Sequence, residues 1–139
     1  MKLENHKMKK LLLAILLTII STSAMAGWTN IGGTNDFDEY IDISTKRKVG
    51  NKVKVWALVN FRIPQNDNND GAYLSEVYNI EFDCVNENYK FLSITDYAES
   101  MQAGKVVSSF NYPPEKSELR NITPNSVMET KFKLACGKK

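Results

Sequence analysis

Histidine is almost missing from this chain: the single residue, His6, lies in a segment that reads as a removable leader. Without it no Ser-His-Asp or Cys-His relay can form, and the commonest ligand for catalytic zinc and haem is gone. For haem, only Tyr, Met or Lys side chains would remain as ligands. Cysteine is scarce as well, with only Cys84 and Cys136. Neither stands just after the leader, where a lipoprotein would need one for acylation, so no lipid anchor is expected. Long apolar runs are also lacking. The longest, Leu11 to Ile20, is broken by Thr18 and as a helix would span roughly 15 Å, half of a bilayer's hydrocarbon core.

That apolar run follows Lys2, Lys7, Lys9 and Lys10, set against one Glu4, and precedes small residues at Ala24 and Ala26 on either side of Met25. The order is that of a cleaved signal peptide, residues 1–26, with the cut before Gly27. Met8, followed by two lysines, would serve equally well as the start of such a leader. The leader holds four of the 18 basic groups and one of the 16 acidic ones. The remainder has 14 basic and 15 acidic groups, a net charge of −1, so neither nucleic acid nor anionic lipid is an expected partner. Residues 27–139 are enough for one domain with a core.

Lys52 to Phe61 alternates strictly. Val53, Val55, Ala57, Val59 and Phe61 fall on one side, and Lys52, Lys54, Trp56, Leu58 and Asn60 on the other. This is a strand, and Gly50-Asn51 joins it as a hairpin to an earlier one within Glu39 to Lys48. Trp28 to Ile31 is a weaker first strand. After the polar run from Gln65 to Gly71, strands are predicted over Ala72 to Val85, Tyr89 to Tyr97 and Lys105 to Tyr112, with short turns between them. Consecutive strands with short turns make an antiparallel meander.

At the carboxy end, Thr123-Pro124 offers a cap and a first helical residue, and the helix runs to about Cys136 before Gly137. Its apolar face carries Val127, Met128, Phe132, Ala135 and Cys136, with Lys131 as the one charge inside it, expected to snorkel outward. The predicted class is therefore α+β: a five- to six-stranded antiparallel sheet with a carboxy-terminal helix packed on one face. In an exported chain the cysteines, 52 positions apart, favour a disulfide, the alternative being two separate buried thiols. If the bond forms, counting back from Cys84 by twos puts Phe82, Ile80, Tyr78 and Leu74 under the helix. The sheet's second face then reads as mostly polar.

Several tempting sites fail on their own chemistry. Asn66, Asn68, Asp70 and Gly71 fit the start of an EF-hand frame, but position twelve is Val77 where a bidentate glutamate belongs. Asn121-Ile122-Thr123 matches a glycosylation sequon and reads more simply as a helix approach. Asp36, Asp38, Glu39 and Asp42 cluster without the spacing of a catalytic pair. No enzymatic activity, metal or cofactor is expected. Trp56, flanked on its strand face by Lys54 and Leu58, reads either as packing or as an aromatic anchor for a protein partner.

Taken together, five segments resemble the surface-adhesin protein E family of Gram-negative exported proteins. They are Tyr40-Ile41-Asp42, Val53 to Leu58, Glu81 to Cys84, Gly104 to Val107, and Thr123 to Ser126 continuing through Leu134-Ala135-Cys136. The resemblance implies an antiparallel sheet tied to a carboxy-terminal helix through Cys84 and Cys136. It also implies binding of host extracellular-matrix or serum proteins rather than catalysis. The chain departs from the family in having Leu119 where a tryptophan is usual, and in the missing lipid-anchor cysteine. The second departure favours a periplasmic or released protein, and leaves a periplasmic inhibitor or assembly partner as the other expected role.

Overall fold

The computed structural model describes residues 27–66 and 69–139; the predicted leader lies outside the described residues. Six strands follow one another as an antiparallel meander: β1 (Thr29–Gly33), β2 (Phe37–Val49), β3 (Lys52–Gln65), β4 (Tyr73–Asp83), β5 (Asn88–Tyr97) and β6 (Val106–Asn111). A two-residue strand, β7 (Arg120–Asn121), pairs with the start of β5. The helix α1 (Val127–Cys136) follows, so the α+β architecture is the one expected from the alternation.

Paired residues on neighbouring antiparallel strands share a face. The register sets Val53 opposite Phe82, Val55 opposite Ile80 and Ala57 opposite Tyr78, and Ile41 opposite Ala57. These residues form the core, and Phe132 and Ala135 of α1 close it. Phe132 meets Phe82 edge-on at 5.8 Å between ring centres. Burying a side chain of this size contributes about 2–3 kcal/mol. Cys84 and Cys136 are joined in a disulfide with 5.7 Å between their Cα atoms. Phe82, Ile80 and Tyr78 thus lie under the helix as counted.

Leu74 does not: it is half-buried, and its neighbour Tyr73 is the buried one, 5% exposed and edge-on to Phe61 at 5.8 Å. The cause is a register shift between Asn60 and Gln65, which adds residues to β3 and pairs Gln65 with Tyr73.

The helix begins three residues later than predicted. Ser126 is its cap, accepting from the Glu129 N–H at 3.1 Å, while the Glu129 carboxylate accepts from the Asn125 N–H at 2.7 Å. That reciprocal pair satisfies two amides that a Thr123 cap would leave free. Gly137, at φ 68°, ends the helix in the left-handed conformation that costs glycine nothing.

Lys131 does not snorkel. It is 1% exposed and its ammonium donates to the Glu39 carboxylate and to the Tyr78 hydroxyl, which itself donates to Glu39 at 3.1 Å. Burial holds the Lys131 ammonium below its ordinary pKa, with Glu39 pulling the other way, and burial pushes the Tyr78 phenol well up. The position on α1 that points at the sheet leaves Lys131 no route to water, so the strand residue beneath supplies its counter-charge.

Candidate functional site

The face of the sheet away from α1, here the far face, is not left bare. The connection from β5 to β6 folds back across it through a single 3-10 turn, Ser100–Gln102. Met101 and Gln102 both have positive φ, 55° and 64°, which is strained for residues with a Cβ. The sheet holds them there. Asn60 accepts the Met101 N–H at 2.8 Å, and Ser75, fully buried, accepts the Gln102 N–H at 2.9 Å while donating to the Glu99 carbonyl at 2.6 Å.

This turn roofs Leu58, which is 0% exposed, and Val77, 4% exposed. The second face is mostly polar, as expected, but carries this one covered apolar patch, and Leu58 is a buried floor rather than an exposed contact. Nothing in Ser100-Met101-Gln102 signals the roof, because its conformation is imposed by partners 27 and 41 positions away.

Beside the roof is an open cleft of about 310 Å³. Its floor is Val77, its walls include Tyr97, Thr95 and Gln102, and at its rim are Trp28, Asp42, Thr45 and Trp56. The rim is shaped by an irregularity in β2: between Asp42, opposite Trp56, and Arg47, opposite Lys54, β2 carries four residues against one on β3. Thr45 repairs the gap, its hydroxyl donating to the Asp42 carbonyl at 2.6 Å and accepting the Trp56 N–H at 3.1 Å. The Asp42 carboxylate is fixed in turn by the Ser44 N–H at 3.0 Å. Trp56 is left 37% exposed, a large aromatic on a rigid strand at the edge of a cavity.

Next to Trp56 the far face turns basic. Arg47, Lys54, Glu81 and Lys90 stand in one cross-strand row, and Glu81 lies within 3.6–4.0 Å of the ammonium groups of Lys52, Lys54 and Lys90. Asp83 lies 4.0 Å from Lys52 as well, and two carboxylates among four cations leave a positive strip. Of the three residues singled out on β3, the structure therefore places Trp56 and Lys54 at the surface and Leu58 beneath it.

Three of the four amino-terminal carboxylates are already occupied. Asp38 binds Arg62 at 2.9 Å, Asp42 holds the β2 irregularity and Glu39 faces Lys131. Among the described residues no group of three or more His, Cys, Asp or Glu could hold a metal ion, and no helix is long and apolar enough to cross a membrane.

Comparison with known proteins points in one direction. A family model described as surface-adhesin protein E matches residues 28–137. Among solved structures, crystal form II of Haemophilus influenzae protein E superposes with a TM-score of 0.63 at 16% identity, covering 84% of this chain and 91% of that one. Protein E from non-typeable Haemophilus influenzae gives 0.60 at 16% identity, covering 84% and 79%. At such identity the likeness is one of fold. No curated protein matches the sequence.

Proposed function

Because the chain belongs to the surface-adhesin protein E family, we propose that it is an exported, non-catalytic binding protein that captures a host extracellular-matrix or serum protein on its far face. Residues 1–26 act as its cleaved leader in this reading. The observation that carries it is Trp56, 37% exposed at the rim of the far-face cleft, beside the positive strip that begins at Lys54. A tryptophan fixed on a strand, next to a cavity and a complementary charge, has the makeup of a binding hot spot.

The test uses the exported, oxidised protein on immobilised matrix and serum proteins at physiological salt. Trp56→Ala should weaken binding by about tenfold or more, the scale of a hot-spot truncation, while thermal stability stays nearly unchanged. Equal binding by the variant, or binding that simply fades as salt rises, would reject the far face as the specific surface.

A second reading, a periplasmic envelope protein acting as inhibitor or assembly partner, is favoured by the lack of a cysteine just after residue 26. Antibody labelling of intact cells against a periplasmic extract separates the two. Protein confined to the extract excludes the adhesin role.

A further inference from the structure

Gly27, the residue that the expected leader cut would expose, lines the far-face cleft together with Trp28 and Asp42. The pairing of Thr29 with Ile41 sets this arrangement, because it runs the chain just before β1 alongside Asp42 on β2. The approach is close. A Cβ on Gly27 would lie 2.1 Å from Asp42 Oδ2 and 2.9 Å from Oδ1, so any side chain there would collide with the carboxylate. With ordinary bond lengths, the Gly27 nitrogen is therefore no more than about 5 Å from Oδ2.

One oxygen of Asp42 is already engaged. Oδ1 accepts from the Ser44 N–H at 3.0 Å and from the Ser44 hydroxyl at 2.5 Å, beside the β2 irregularity. Among the described residues no lysine or arginine pairs with Asp42, and none lines the cleft. Oδ2 faces a nitrogen whose charge depends on processing. In the precursor it is a neutral amide. Hydrolysis of the bond from Ala26 to Gly27 puts the hydroxyl of water on the Ala26 carbonyl carbon and leaves a primary amine on Gly27, which is protonated at neutral pH. An ammonium and a carboxylate at this separation stabilise each other.

We propose that removal of residues 1–26 completes the far-face cleft: the α-ammonium group created at Gly27 pairs with Asp42 and fixes the neighbouring Trp28 at the rim. This rests on the leader reading given above. A chain end without an anchor frays, and the half-buried Trp28 would be only the second residue of the mature chain. The pair supplies the anchor, and the lack of room for a Cβ explains why glycine stands at the cut.

Mass and amino-terminal analysis of the exported protein comes first. A start at Gly27 is expected, and any other start overturns both the leader boundary and the pair. In the isotopically labelled protein, NMR titration of the Gly27 α-amino group should then give a pKa about one unit above the ordinary value of about 7.7–8.0. The Trp28 indole signal should move with the same midpoint. Asp42→Asn keeps an oxygen for Ser44 and removes only the charge, so it should return the α-amino group to its ordinary value. Pairing raises this pKa in the folded state. The melting-temperature advantage over Asp42→Asn should therefore be present from neutral pH to about pH 8, and lost as pH rises through about 9.

An Asp42 that acts through Ser44 alone would leave the α-amino group ordinary in both proteins. Gly27→Ala keeps the test open should Asp42→Asn fold poorly: its Cβ drives the carboxylate aside, and its α-amino group should also titrate near the ordinary value. An ordinary α-amino pKa in the unaltered protein that starts at Gly27 overturns the pair and leaves the leader reading standing.

Discussion

The two faces of this sheet are closed by different means. On the α1 side a ten-residue helix is pinned by a disulfide and by an ion pair whose Lys131 end is shut away from water, so its cover is tight. On the far side a three-residue turn in a strained conformation is held by hydrogen bonds that its amides donate to Asn60 and Ser75, and the cover stops short of Trp56. The tightly covered face carries the core, and the lightly covered face leaves a large aromatic exposed, which on the proposed reading is where a partner docks.

Each seal can be broken to test that contrast. Replacing Cys84 and Cys136 together by serine should cost about 4 kcal/mol in the chain-entropy account, read as a lower urea midpoint that matches the reduced native protein. Glu39→Ala comes next, at about 3 kcal/mol, because it strands the Lys131 ammonium in the core. Adding Lys131→Met to it should restore most of that loss, whereas additive losses would mean the pair is not coupled.

Ser75→Ala, on the other face, should cost about 1–2 kcal/mol by orphaning the Gln102 amide. Its sharper signature is local: faster hydrogen exchange over residues 99–103 with no change over α1. Faster exchange across the helix as well would show that the two covers open as one.

How far the sequence foretold this depends on the range of each interaction. Alternation in β3 and the parity counted from Cys84 placed Ile80 and Phe82 correctly, because both follow from local geometry. Pairing over a distance was invisible. Tyr73 rather than Leu74 is buried, through extra residues in β3, and Lys131 was expected in water because Glu39, 92 positions away, could not be seen beneath it. The roof over Leu58 was hidden for the same reason. Trp56 was legible as an aromatic on a polar strand face, but the cleft beside it was not, since that needs the β2 irregularity and the turn together.

The bond from Cys84 to Cys136 also bears on proteolysis. It makes residues 84 to 136 a closed covalent ring that contains β5, β6, β7 and all of α1. The exposed stretch around Glu115 and Leu119 is the natural place for a nick in that ring. A cut there linearises the ring without releasing a fragment. The nicked molecule stays one covalent body until the disulfide is reduced.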